Sequence, residues 1–392
     1  MDESPLEMPF LRNIGFVLTY QCQVACPHCI IKAGPHRTEK MERSDAISWI
    51  DQVAGYRDGY IKVLSLTGGE PFFDISLLRE VSCYAGEKGL IVSVVTNAFW
   101  ASSLDDAVAM LRSLPAIEML AISTDVYHQE NIPFERVKNA ILAARELNIP
   151  YNIAVCTENE DDPGYRRILD DLARVTEPET IATAITFPAG RALEEIAELR
   201  YRFTEAPPIS ACGAGSSPIV FPSGRVLACI GPVIELANDH PLLLGNLRED
   251  DLEGIMNKAE CNCILHAIRI WGPKKLIAMV SEAGLGRHLP EKYVEGSMCQ
   301  ACYSLMRNEH ITDFLFRLMD DEAFVARVAY GRAFYLKEAH MAKELGLACC
   351  LERGFVLRAP KTSTRRGGGR RRVFGGLSGR LLLRGRFRRG CN

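Results

Sequence analysis

Between residues 10 and 205 short apolar runs alternate with longer stretches whose apolar residues recur every three or four positions. The runs Ile14–Leu18, Ile61–Leu66, Leu90–Thr96, Glu118–Ser123, Tyr151–Cys156 and Thr180–Phe187 read as strands. The stretches between them, 43–56, 75–88, 104–114, 134–147 and 164–175, read as amphipathic helices. In the first of these Ala46, Ile47, Trp49, Ile50 and Val53 share a face, and Ser44 is placed to cap its start. Strands apolar on both sides, separated by helices, predict an α/β fold with a parallel sheet covered on both faces.

From residue 206 the pattern changes. Ile219–Phe221 and Arg225–Ala228 read as a hairpin closed by Pro222, Ser223 and Gly224. Residues 206–310 are expected to form a small α+β domain, and 311–355 two packed amphipathic helices. The remainder, 356–392, is a basic low-complexity tail expected to be disordered. Residues 361–392 hold eleven Lys or Arg and no acid, so the net charge of −3 leaves −14 for the first 360. Such a tail could meet nucleic acid or an anionic surface, but reads more simply as an extension outside the folded core.

A length of 392 residues with 47% hydrophobic content suits one large barrel plus an appendage. No run is long enough to span a membrane, and the acidic start does not read as a signal peptide. A cytoplasmic protein in a reducing compartment is expected, so its fourteen cysteines, grouped in pairs and triplets, point to metal rather than disulfides.

Cys22, Cys26 and Cys29 follow the first strand within eight residues. A disulfide would leave one thiol over, and a structural zinc would need a fourth ligand such as His28 or His36. An iron–sulfur cluster held by three thiolates would keep one iron open. A second group, Cys212, Cys229, Cys299 and Cys302, brackets the hairpin and ends in a CxxC.

The CxxxCxxC spacing, with His28 as the aromatic before the third cysteine, resembles the signature of the radical S-adenosylmethionine (SAM) superfamily. The resemblance implies a partial (β/α)6 TIM-like barrel over 10–205 and a 4Fe-4S cluster whose open iron chelates SAM. An electron from that cluster then releases a 5′-deoxyadenosyl radical. Gly68, Gly69 and Glu70, followed by Pro71, are similar to the family's SAM-binding GGE motif, and Ser123 and Asp125 look like its ribose contacts. Asn97 is a further SAM candidate, Tyr127 and His128 are candidate catalytic groups, and Arg191 is placed to meet an anionic group.

The second cysteine group, with Gly224 between Cys212 and Cys229, resembles a SPASM/twitch auxiliary domain. Asn308 stands where a full SPASM domain has its next cysteine. The resemblance therefore implies one auxiliary 4Fe-4S cluster held by four thiolates, with Cys261 and Cys263 as spare candidates. Cys349 and Cys350 are expected to be inert.

The function expected is modification of a ribosomally made peptide, with the auxiliary cluster removing the spare electron. The alternative is oxidation of a small alcohol or sugar carbinol. A non-catalytic cluster-bearing binding protein is a third reading, disfavoured by the intact CxxxCxxC and GGEP. Expected partners are the peptide or small-molecule substrate and a reducing donor such as flavodoxin or ferredoxin, with neither membrane nor nucleic acid.

Overall fold

The computed structural model describes residues 10–186, 188–195, 201–208 and 210–346. Phe187, Cys349, Cys350 and the basic tail lie outside the described residues, as does the end of the 311–355 segment.

The six apolar runs form the parallel strands β1 (Asn13–Thr19), β2 (Val63–Gly68), β3 (Ile91–Thr96), β4 (Ile117–Ser123), β5 (Tyr151–Thr157) and β6 (Ile181–Ile185). They lie side by side in chain order, with all neighbours parallel. Parallel neighbours need crossovers, and the predicted helices supply them. These are α1 (Arg43–Gly55), α2 (Ile75–Glu87), α3 (Leu104–Arg112), the pair α4 (Val126–Gln129) and α5 (Phe134–Glu146), and α6 (Pro163–Leu172).

Local chemistry sets the helix starts. Asp74 accepts from Leu77 N to cap α2, and Ser103 accepts from Asp106 N to cap α3. Ser44 does not cap α1: the helix begins at Arg43, so Ser44 already lies in its first turn, and Glu42 before it makes no side-chain cap bond. Trp49, Ile50 and Val53 bury the inner face of α1 as their spacing predicts.

After α7 (Ala192–Glu195) and β7 (Phe203–Thr204) the predicted hairpin forms as β8 (Ile219–Val220) and β9 (Arg225–Leu227), joined by β10 (Leu243–Asn246). β8 runs parallel to β1, with Gly15 opposite Ile219, so the hairpin extends the barrel sheet to nine strands. Three helices not expected from the sequence follow: α8 (Leu252–Cys261), α9 (Cys263–Trp271) and α10 (Pro273–Glu282). Then come β11 (Tyr293–Val294), which pairs with β7, and α11 (Met298–Met306).

The two helices expected beyond residue 310 are three: α12 (Glu309–Met319), α13 (Glu322–Tyr335) and α14 (Ala339–Glu344). Asp321 starts a fresh helix by accepting from Phe324 N, and Lys337, at φ 58°, turns the chain out of α13. One apolar core joins barrel residues such as Phe16, Leu66 and Ile122 to Leu265, Ile277 and Leu315 of the later helices. Within it Arg269 and Arg332 share the buried Glu338 carboxylate, at 2.8 and 2.6 Å, and Arg332 also pairs with Glu260. Among the described residues no helix is long and apolar enough to cross a membrane.

Candidate active site

The carboxyl ends of β1 to β6 surround a cavity of about 290 Å³. Cys22, Cys26 and Cys29 line it on one side; Gly68, Gly69, Asn97, Ser123, Asp125 and His128 line the strand ends. This is where a parallel barrel places its loops.

The cysteine loop is held from three directions. From β2, Gly68 and Gly69 allow close approach: a Cβ at Gly68 would stand 2.4 Å from Thr19 O, and one at Gly69 2.3 Å from Gln21 O. From β3, Asn97 Nδ2 lies 3.6 Å from Cys22 Sγ while its Oδ1 accepts from Gln23. From the segment after β6, Arg191 donates to Cys26 O at 2.7 Å and to Ala33 O at 2.5 Å. Gly190 precedes it at φ +67°, with room for no side chain: a Cβ there would lie 2.5 Å from Cys29 O. Arg191 is therefore a clamp on the cysteine loop: it gives Ala33 O its side-chain donor and adds a second donor to Cys26 O, which also accepts from Cys29 N at 3.0 Å.

Glu70, read as part of the GGE motif, is tied to the strand ends. Its carboxylate is fully buried, accepting from Phe72 N, Thr96 Oγ1 and Asn97 N at 3.1, 2.9 and 2.7 Å. Burial raises its pKa to about 7. The side chain braces the β2 and β3 ends, and Gly68 and Gly69 line the cavity beside it.

Asp125, read as a ribose contact, is engaged by its neighbours. It caps α4 by accepting from Tyr127 N and His128 N, and its Oδ2 meets His128 Nδ1 at 2.8 Å and His28 Nε2 at 3.2 Å. Burial opposes the charge, but the two imidazoles hold its pKa well below the usual carboxylate range. Ser123 remains on the cavity wall.

His128 lines the cavity; burial works against its charge, yet Asp125 holds its pKa above the usual imidazole value. Tyr127 stands outside the lining. Its ring stacks on His28 at 4.8 Å and its hydroxyl donates to the buried Glu158, which also accepts from Thr186 at 3.2 Å. Glu158 and Thr186 went unnoticed in the sequence because nothing local marks them.

The donor set of the loop is chemically uniform. His28 turns its Nε2 to Asp125 and His36 is exposed, so neither completes a zinc site with the three thiols. Soft thiolates with N–H donors at the sulfurs, Ala33 N to Cys29 Sγ at 3.3 Å and Asn97 to Cys22, fit an iron–sulfur cluster. Burial pushes the Cys22 thiol up to about 12 and raises that of Cys26 as well, the cost of charging these sulfurs with no metal beside them.

The second set also comes together. Cys212 is anchored through its N–H to Ile268 O, Cys229 follows β9, and Cys299 and Cys302 lie one turn apart on α11, capped by Ser297. Burial is the main cause raising the pKa of Cys229 and Cys302, and the charges of the other three cysteines of the set add to it at Cys302. Ile230, next to Cys229, reaches the lip of the first cavity. Cys263 is not in the group: it is buried at the start of α9, 4.0 Å from Leu318 O. Cys261 is disulfide-bonded and offers no thiolate.

Residues 16–172 match the family model of the Radical SAM superfamily. Over 314 residues the chain is 20% identical to "Putative peptide biosynthesis protein YydG" of Bacillus subtilis (strain 168), an alignment covering 79% of this chain and 96% of that protein. Among solved structures, BtrN in complex with AdoMet and 2-DOIA is 12% identical, with a TM-score of 0.40 over 68% of this chain and 89% of that one.

Proposed function

With residues 16–172 forming a radical SAM domain, we propose that the enzyme modifies a ribosomally made peptide, using a SAM-binding 4Fe-4S cluster and one auxiliary 4Fe-4S cluster. When bound, a cluster with an open iron supplies the electron that breaks a carbon–sulfur bond of SAM and so starts hydrogen-atom abstraction. Cys22, Cys26 and Cys29 would hold that cluster. The Gly68–Gly69 backbone and Ser123 face the space left for SAM. Asp125 and His128 bring charged groups to the same lining, and Arg191, Asn97 and Glu70 hold the frame.

The observation that carries the reading is the gathering of Cys212, Cys229, Cys299 and Cys302 from three separate segments, with Ile230, the neighbour of Cys229, on the cavity lining. Four thiolates would close a cluster, which suits electron transfer rather than substrate chelation. The Bacillus relative, a putative peptide biosynthesis protein, supports a peptide substrate. A flavodoxin- or ferredoxin-type donor would supply reducing equivalents.

The test is a pair of variants. Cys26→Ala is expected to abolish SAM cleavage and keep the auxiliary iron. Cys299→Ala is expected to leave SAM cleavage without substrate intact and to block peptide turnover. Normal product from Cys299→Ala would remove the second cysteine set from the mechanism, and turnover of a small alcohol but of no peptide would refute the substrate.

A further inference from the structure

A second cavity, of about 270 Å³, opens on the outer side of β6. Glu160, Tyr165 and Thr183 line it on the barrel side, Gly296, Met298 and Cys299 on the other. It shares Ala184 and Ile185 with the first cavity, so the two meet over the end of β6.

Among the described residues no strand pairs with the outer edge of β6, and Ala182, Thr183 and Ala184 are exposed. Thr186 N donates inward to Thr157 O at 2.8 Å. Backbone groups alternate along a strand, so the N–H and C=O of Thr183 and Ile185 point outward. An open ladder edge is a template for an added strand. At its end stands Glu160, exposed, with no cationic side chain paired to its carboxylate among the described residues. The first 360 residues carry −14, which favours a basic ligand.

We infer that a basic peptide segment docks in extended form on the free edge of β6, with a lysine or arginine held by Glu160 and its neighbouring residue directed over Ala184 and Ile185 into the cysteine-lined cavity. The inference rests on the peptide reading above and locates where that substrate enters. Main-chain bonds to Thr183 and Ile185 supply affinity, and Glu160 selects charge.

The test is fluorescence anisotropy on the full-length, iron-loaded protein. Its probe is a fluorescein-labelled octapeptide of alternating valine and lysine. Saturable binding is expected, with none for the valine–glutamate counterpart. Methylating alternate backbone nitrogens of the probe, in one of the two possible registers, should weaken binding by about tenfold or more, because the ladder bonds are lost. Glu160→Gln should weaken it about fivefold. Thr183→Pro removes one outward N–H and should abolish binding with the far-UV circular dichroism unchanged; should that variant not fold, the methylated probes decide. No anisotropy change with the lysine probe, equal affinity of both methylated probes, or unchanged affinity in Glu160→Gln each overturns the docking site. None depends on turnover, so a failed docking edge is distinguishable from a failed peptide reading, which deoxyadenosine formation driven only by a small alcohol would reveal.

Discussion

Arg191 Nη1 donates a 2.7 Å hydrogen bond to the carbonyl oxygen of Cys26, across 165 residues of chain. The last barrel unit thereby holds the loop that follows the first. Gly190, at φ +67°, lets the two backbones meet.

Removing the guanidinium takes its side-chain donor from Ala33 O and leaves Cys26 O with Cys29 N alone. Arg191→Ala is expected to cost about 2–4 kcal/mol. The loss should fall on the first cluster, so iron per chain drops by about half while the second set keeps its share. Iron analysis after anaerobic reconstitution checks this, with Arg191→Lys expected to rescue only in part.

Asn97 Nδ2 approaches Cys22 Sγ at 3.6 Å. Hydrogen bonds to cluster sulfurs stabilise the reduced state, so Asn97→Ala should shift the midpoint potential of the first cluster negative by tens of millivolts, on the order seen for lost outer-shell contacts. A redox titration followed by electron paramagnetic resonance reads the shift, with iron content unchanged.

Tyr127 lies outside the cavity lining, with its hydroxyl on Glu158. Tyr127→Phe should lower stability by about 1–2 kcal/mol while changing SAM cleavage less than about threefold. A thermal melt beside a deoxyadenosine assay separates the two effects. A large loss of cleavage with unchanged stability would make the phenol a catalytic group.

Glu260 is partly desolvated, yet His340 and Arg332 hold its pKa below the ordinary carboxylate value. A lowered folded pKa gives stability that is present above the unfolded value near 4.5 and is lost as pH falls toward the folded one. Glu260→Gln should therefore cost about 2 kcal/mol at pH ~7, and its difference from the native protein should shrink below pH ~4.5. Denaturant titrations of both proteins across that range test the sign.

The parts of the site legible in the sequence are those written locally. The CxxxCxxC loop, GGEP and the six strand–helix units are each set by a few consecutive residues, and the strands fall within about two residues of their apolar runs. What local pattern could not show is direction and partnership. Glu70 sits in the expected motif but faces inward to Thr96 and Asn97, because burial and three donors decide its side chain. Asp125 is at the expected strand end, but His28, 97 residues earlier, is one of its partners. Arg191 was marked as a cation without its carbonyl acceptors, which belong to a loop at the other end of the barrel. Helix α9 is hidden from periodicity because seven of its nine residues are buried. By contrast α8 and α10 each bury one regular face, Leu252, Ile255, Met256 and Ala259 in α8 and Pro273, Leu276, Ile277 and Val280 in α10, and were legible in the sequence.

On the reading proposed above, two cysteine sets hold two clusters and the first one cleaves SAM. The direct measurement is anaerobic: reconstitute the protein, count iron and sulfide per chain, reduce it with SAM present and assay 5′-deoxyadenosine. The account predicts about eight irons per chain, the content of two 4Fe-4S clusters, with deoxyadenosine formed. Bound zinc, or iron with no SAM cleavage, would contradict it at its first step.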